Sequence, residues 1–363
     1  MSDTIATHGT NAAILGLGIH LPNEVRANSW WPIGTVDRWR QRASAKISDG
    51  RADETARMTP NQRRVLEAMA QERDDPFRGA RERRVMDPAQ RSSDIETLAA
   101  REAIQQAGVA PADLDFVLVQ SAVPDFLNTP NAAFVHQKLG LKDACFSLQT
   151  EGMCNSFLLH LTLADKLLRG GMGKLGLIVQ SCGMSPTLDP EEPHSAWFGD
   201  AASAAVVGLV EGRGLLSQAH GTDSSLSPSI VYGVPGGRWF DAGRTVPYLE
   251  NQKNGFLMLL NSADLVANGM RQALAPLGMS AEDVEFYGAH QATPWFRRVT
   301  QQAAGMTNAR FVDTFPWAAS VVGCNVPLGL AVAAREGMLK SGMLVGAFSG
   351  SPGVTWTAAV YRW

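Results

Sequence analysis

The sequence predicts an α/β protein built from two related halves, and three observations carry that prediction. Short apolar runs alternate with longer helical patterns along almost the whole chain, which implies parallel sheets with helices on their faces. The same order of elements occurs twice: a glycine-stopped helix, a turn, a buried strand and a later apolar helix opening on Cys-Asn, first from about Ser93 to Val179 and again from about Ala263 to Ala347. With 363 residues, 45% of them apolar, there is material for two such cores. Two halves of this kind can stack their sheets around shared central helices, so that loops at the strand ends of both meet in one crevice. The halves are expected at 1–210 and 211–363, joined near Glu211.

In chain order, Ala12-Ala13-Ile14-Leu15-Gly16-Leu17-Gly18 reads as a buried first strand that Leu21-Pro22-Asn23 turns. From about 30 to 75 the composition becomes polar and Arg-rich, with Trp30, Trp31 and Trp39 interleaved and a helix expected from Asn61 to Arg73. This segment is read as an inserted cap, either a solvated surface element or a lid over a substrate tunnel. Ser93-Asp94-Ile95-Glu96 has the form of a capping box, opening a helix with Ile95, Leu98, Ala99 and Ile104 on one face that ends at Gly108. A turn at Val109–Asp113 leads to the strand Phe116–Val119. The second copy runs from a helix at about 263–277 through Gly278 and a turn at 279–283 to the strand Glu285–Ala289. Further strands are expected at Leu175–Val179 and Met343–Ala347.

Glu151-Gly152-Met153-Cys154-Asn155-Ser156-Phe157 leads into a helix that is apolar on nearly every side and stops at Gly170-Gly171, as a helix buried inside a large domain does. Cys154 therefore stands at a helix start, where the dipole and unpaired N–H groups favour a nucleophilic thiolate. Its plainer reading is a small buried hydrophobe. Cys324, in the second Cys-Asn, mirrors Cys154; it either approaches the same crevice or is simply packed. His160 falls inside the apolar helix and reads as a core histidine with partners. Met153 is expected to line a pocket or a subunit contact, while Glu151 and His194 have no evident task.

Composition narrows the function. A formal charge of −3 argues against a general nucleic-acid binder. No run of eighteen apolar residues and no charged leader suggests a membrane span or secretion signal, so the expected location is the cytoplasm. The four cysteines, Cys145, Cys154, Cys182 and Cys324, lack C-x-x-C spacing and are read as free thiols, and the seven histidines form no metal motif.

Five segments in order resemble the thiolase-fold condensing enzymes, most closely the ketoacyl synthase III group. Gly79-Ala80-Arg81-Glu82-Arg83-Arg84 is similar to that family's G-I-R-E-R-R, Cys154 falls where its acyl-accepting cysteine lies, and Trp197-Phe198-Gly199-Asp200-Ala201-Ala202 resembles its F-G-D-G-A-G. His290-Gln291-Ala292 resembles its H-Q-A-N, and Ser349–Trp356 its glycine-rich loop before T-W. The resemblance implies a five-layered αβαβα sandwich of two βαβαβαββ halves and an acyltransferase that loads an acyl group onto Cys154 and passes it on by condensation or O/N-acylation, in fatty-acid or polyketide synthesis. It also implies acyl-CoA or acyl-carrier protein as partner, a homodimer joined edge to edge, and no cofactor beyond the coenzyme A or phosphopantetheine thioester itself. Arg81 inherits the contact to the nucleotide end of coenzyme A, and His290 the proton handling in both half-reactions.

The departures matter as much. The family's asparagine thirty residues after the histidine stabilises the enolate formed by decarboxylation; here Ser320 occupies that place, and Asn325 is read as a helix-start residue. The arginine after H-Q-A-N is replaced by Trp295. The terminal loop is longer and puts Pro352, which has no N–H, near the oxyanion position, so Ser351 or Gly353 would supply the donor beside the Cys154 N–H. These changes leave two rival readings, a non-catalytic partner subunit and an acyl thioesterase.

Overall fold

The computed structural model describes residues 9–45 and 58–363, so positions 46–57 of the expected cap lie outside the described residues. The first half runs β1 (Thr10–His20), β2 (Glu24–Ala27), α1 (Ile33–Ala45), α2 (Pro60–Gln71), β3 (Glu82–Val85), α3 (Ser92–Ala107), β4 (Phe116–Ser121), α4 (Asn131–Leu139), β5 (Phe146–Gln149), α5 (Ser156–Arg169), β6 (Leu175–Cys182) and β7 (Ala201–Glu211). The remainder runs β8 (Gly214–Thr222), β9 (Ile230–Gly233), β10 (Val246–Leu249), α6 (Gln252–Leu260), α7 (Ser262–Leu274), β11 (Phe286–Ala289), α8 (Phe296–Ala304), α9 (Phe315–Ala318), α10 (Asn325–Arg335), β12 (Leu344–Gly350) and β13 (Thr355–Arg362).

Two large sheets share a four-stranded topology, to which the first adds β5. The first has the order β1-β7-β6-β4-β5 and the second β11-β12-β13-β8. The β4–β6 pair is parallel and β6–β7 and β7–β1 antiparallel, as β11–β12, β12–β13 and β13–β8 are in the second sheet. Strand alternation assigns the faces. Val117 and Val119 face α3 and α4 with Ile95, Ala99 and Val135, whereas Phe116 and Leu118 face the interior with Phe157 and Leu161 of α5 and Leu328 and Leu330 of α10. Val345, Ala347 and Ala359 of the second sheet close that central layer, and its other face, through Phe348, Ala358 and Val360, takes α7 and α8. The result is the five-layered αβαβα sandwich of the thiolase fold. Gly16 and Gly18 let β1 lie directly on α3, since a Cβ at either would sit 2.2 and 2.1 Å from the carbonyls of Ala103 and Ala99.

Two local expectations are corrected. The Ser93–Glu96 capping box does not form: α3 begins at Ser92, Asp94 accepts the Arg91 N–H (2.8 Å), and Glu96 turns into the interior, where Ser121, Ser181 and Asn131 donate to it. Leu98 belongs to the exposed side of the helix rather than the packed one. Among the described residues the cap holds two helices instead of one. α1 buries Val36 and Trp39 with Trp31 and Phe77, and Arg38 and Arg42 pair with Glu191 and Glu192. α2 buries Val65 and Ala68 in the outer core of the second sheet, while Thr59 and Asn61 bond to Asp264. The insertion is thus fastened to the 185–196 loop at one end and to α7 at the other.

Candidate active site

Cys154 is presented by a tight turn. Met153 has φ 46°, a left-handed conformation that is unfavourable for a side chain with a Cβ. A short 3₁₀ turn, Met153–Asn155, then feeds α5. Ser156 Oγ accepts the Gly152 N–H (3.1 Å) and the Ser349 hydroxyl donates to the Cys154 carbonyl (2.5 Å), which ties the terminal loop to the turn. Cys154 as a residue is half-buried. The expected thiolate is not the resting form: burial, and secondarily the Glu151 charge, push the Cys154 thiol up to about 12. Desolvation outweighs the helix start.

His290 follows β11 and is buried; its N–H donates to the Phe348 carbonyl (2.9 Å). Burial lowers its ring to about 4, so the imidazole is neutral at physiological pH. The side chain beside it is Asn325. The Asn325 Oδ1 takes the Val321 N–H (3.3 Å), and its Nδ2 lies 3.1 Å from the Val322 carbonyl, 3.3 Å from Ser320 Oγ and 3.0 Å from His290 Nδ1. An amide nitrogen facing a carbonyl donates, so Nδ1 accepts and the ring proton resides on Nε2.

Asn325 is the residue that sequence reasoning undervalued. It begins α10 as expected, but its side chain caps no N–H of that helix; it accepts an N–H of the preceding turn and joins His290 to Ser320. Ser320 itself is clasped by the F-G-D segment, its N–H donating to the Trp197 carbonyl (2.9 Å) and its carbonyl accepting from Gly199 (3.1 Å). Gln291 supports the same strip by accepting from the Thr314 N–H (2.9 Å) and donating to the Val312 carbonyl (2.7 Å). Asp200 accepts from the Met86 N–H (2.7 Å) and the Ser185 N–H (3.0 Å), so the motif's carboxylate is an anchor for neighbouring loops.

Cys324 does not occupy the mirrored place of Cys154. The two helix starts superpose one residue out of register with the Cys-Asn pairs: Met153 (φ 46°) matches Val322 (φ 52°), and the Ser156 cap on Gly152 matches the Asn325 cap on Val321. Gly323 therefore stands where Cys154 does, and Cys324 matches Asn155. Cys324 is fully buried, its thiol directed at the Gln180 carbonyl (3.3 Å). A Cβ on Gly323 would come within 2.9 Å of Gln120 Oε1 and 3.1 Å of the Met153 carbonyl, so the two turns abut at this glycine.

In the terminal loop, the Ser351 N–H is already donated to the Thr355 carbonyl (2.9 Å), whereas the Gly353 N–H has no partner among the described residues; the Pro352 carbonyl accepts from Ser229 Oγ (2.7 Å). Arg81 is exposed, its N–H donating to the Pro316 carbonyl (2.8 Å) just before Ser320. Arg83 of the same motif is buried instead, donating to the Ala196 and Arg26 carbonyls and lying 4.7 Å over Trp31. A cavity of about 30 Å³ opens between Trp30, Trp31 and Arg83 on one side and Ser185, Leu188 and Phe198 on the other. His160 is a core histidine with two partners, Thr150 Oγ1 (2.7 Å) and Gln180 Nε2 (3.0 Å). Among the described residues no cluster of His, Cys, Asp or Glu could hold a metal ion, and no helix is long and apolar enough to cross a membrane.

Comparison with known proteins bears on what this arrangement is. Sequence models of 3-oxoacyl-[acyl-carrier-protein] synthase III and of its C-terminal part match residues 148–224 and 274–363. The beta-ketoacyl-[acyl-carrier-protein] synthase III of Rhizorhabdus wittichii is 31% identical over 288 residues, 78% of this chain and 88% of its own length. This chain belongs to the 3-oxoacyl-[acyl-carrier-protein] synthase III family. The corresponding protein of Chelativorans is 28% identical over the same shares of both chains. Among solved structures, the Pseudomonas aeruginosa synthase III superposes with a TM-score of 0.75 at 22% identity, covering 97% of this chain and 98% of its own. The priming beta-ketosynthase of the R1128 polyketide pathway gives 0.78 at 21%, with 98% and 97% covered. Membership in this family makes the chain a condensing enzyme of the acyltransferase type, acting in fatty-acid or polyketide synthesis.

Proposed function

We propose that this synthase III relative takes an acyl group from acyl-CoA or an acyl-carrier protein onto Cys154 and transfers it to a second substrate. The observation that carries the reading is the convergence of two turns: the turn that presents Cys154 abuts, through the Met153 carbonyl at Gly323, the turn whose Asn325 reaches His290 and Ser320. The donor thioester approaches past Arg81. Its carbonyl oxygen is received by the Cys154 N–H and the Gly353 N–H, both preorganised for the charge that develops in the tetrahedral intermediate. The Cys154 thiol loses its proton as it attacks, since a thiol held up to about 12 is not ionised beforehand, and that proton goes to the thiolate of the donor, which leaves as the free thiol. His290, neutral with its proton on Nε2, acts as a hydrogen-bond donor to the oxygen of the second substrate.

Ser320 separates this site from a decarboxylating one. A hydroxyl supplies one hydrogen bond where the family's amide supplies a stronger pair of donors, and loss of one oxyanion donor removes about a hundredfold in rate. Transfer to an oxygen, a nitrogen or an already reactive carbon is therefore favoured over decarboxylation of a malonyl thioester. No cofactor beyond the thioester is needed for either step, and the cytoplasm, where acyl-CoA is made, is the natural location.

A homodimer fits the exposed edge of the first sheet. Among the described residues β5 pairs only with β4, and Phe146 and Leu148 on it are exposed apolar side chains, as are Phe126 and Leu127. Sedimentation is expected to give twice the chain mass; a monomer would remove this part of the reading. For the chemistry, the protein is incubated with octanoyl-CoA and weighed intact. An added octanoyl group that is absent from Cys154→Ala supports the transferase, whereas no adduct supports a non-catalytic partner subunit. Rapid release of free acid without an acceptor would indicate a thioesterase.

A further inference from the structure

The site has a nucleophile and a hydrogen-bond donor, yet the obvious base is spoken for. His290 Nδ1 is filled by the Asn325 amide, which leaves Nε2 protonated and able only to donate. Ser320 Oγ lies within reach of the same amide. The carboxylate on the nucleophile's own turn is Glu151, three residues before Cys154. Its Oε1 accepts the Met153 N–H (2.5 Å) and the Gln120 Nε2 (3.3 Å), so the side chain folds back across the turn instead of extending along β5. Gln120, fully buried, presses on Gly323 at the seam of the two turns.

We propose that Glu151 is the catalytic base of the second half-reaction, taking the α-proton from an acyl thioester that serves as acceptor. The proposal rests on the acyl-Cys154 reading and replaces the oxygen, nitrogen or already reactive carbon acceptor considered above with a thioester whose α C–H the enzyme itself activates, rather than a malonyl carboxylate. The α C–H bond breaks and its proton passes to the Glu151 carboxylate. The enolate oxygen is held by His290 Nε2–H, and the α-carbon forms a C–C bond to the carbonyl carbon of the acyl-cysteine. The C–S bond to Cys154 then breaks, and the departing thiolate takes the proton from Glu151. The products are a 3-oxoacyl thioester and the free thiol; no carbon dioxide is lost and nothing is oxidised or reduced.

Two further observations agree. The Met153 N–H that holds the Glu151 carboxylate belongs to the residue next to Cys154, and the Glu151 charge is felt at the Cys154 thiol, raising it. Surrounding protein in turn raises the Glu151 carboxyl above its ordinary value although the residue as a whole is exposed, and a more basic carboxylate is a better proton acceptor. The loss of the family's amide at Ser320 fits as well, because the route needs no decarboxylation.

The experiment uses octanoyl-CoA in D₂O with wild type and Glu151→Gln, following deuterium at the carbon next to the thioester by mass spectrometry alongside intact-mass detection of octanoyl-Cys154. Glutamine keeps an oxygen for the Met153 N–H, so the turn is retained and loading of Cys154 serves as the test of folding. Wild type is expected to exchange the α-hydrogens, and Glu151→Gln to load Cys154 while losing about a hundredfold or more of the exchange, the usual contribution of general base catalysis. Exchange by Glu151→Gln at the wild-type rate would overturn the assignment. So would a wild type that loads Cys154 but exchanges nothing, in which case acyl transfer itself still stands. Absence of loading in wild type would sink both.

Discussion

The turn that starts α5 and the turn that starts α10 have the same backbone: a left-handed residue, Met153 or Val322, then a 3₁₀ step, then a side chain that caps the N–H four residues back. Of the side-chain differences between them, two decide what each turn does. One turn presents Cys154 and caps with Ser156; the other presents Gly323 and caps with Asn325. Glycine lets the Met153 carbonyl of the first turn lie against the second. Asparagine, longer than serine, keeps the cap and has an amide nitrogen left over, which reaches His290 at 3.0 Å. The strand ends follow suit. Strand register makes Gln120 the counterpart of His290, and each reaches its own turn, Gln120 to Glu151 and His290 to Asn325. A duplicated scaffold thus supplies two equivalent platforms, and substitution of a few side chains makes one carry the nucleophile and the other the donor.

The comparison is broken most severely at Asn325. Asn325→Ala removes both functions: the Val321 N–H loses its acceptor, at a cost of about 1–3 kcal/mol for a buried unsatisfied group, and the His290 ring loses the contact that fixes its tautomer. Turnover is expected to fall about a hundredfold, the scale seen when a partner that orients an essential imidazole is lost. Asn325→Ser gives the second turn the cap of the first. That variant is expected to recover most of the stability in denaturant titrations and little of the turnover. Full turnover by Asn325→Ser would mean that the ring needs no amide to hold it, and the functional divergence of the two turns would have to lie elsewhere.

Much of this was legible in the sequence because it is written in apolar periodicity. The expected first strand at 12–18 is the core of β1, and the repeated helix, turn and strand appear as α3 to β4 and α7 to β11. Motif order marked Cys154, His290 and Ser320 as candidates. What was not legible depends on backbone angle or on lateral contact. The register of the two turns is set by a left-handed residue, which the more conspicuous Cys-Asn pairs masked. α1 escaped notice because its buried face rests on few residues, Val36 and Trp39 beside Trp31, in an otherwise Arg-rich stretch. Glu96 fits the spacing of a capping box, and only the sheet beneath it shows that the carboxyl points inward.

Glu96 also offers the gentlest test of how far the halves have diverged. α3 and α7 start at corresponding places, Ser92 and Ser262, so Glu96 corresponds to Val266; both side chains are fully buried. In α7 that position contributes packing alone. In α3 burial raises the carboxyl to about 7, although Ser121, Ser181 and Asn131 donate to it. Between about 4.5, where it would ionise in the unfolded chain, and about 7, the folded protein holds a proton that the unfolded chain has released. Folding stability from this group is therefore present at low pH and is lost as pH rises through that window, by up to about 3 kcal/mol for a shift of this size. Glu96→Gln cannot ionise and keeps an oxygen for the serine donors. Urea titrations at pH 5 and pH 8 should show wild type losing stability between the two while the variant loses markedly less. Equal losses would show that the carboxyl keeps an ordinary proton affinity, and that α3 tolerates a buried charge where α7 has valine.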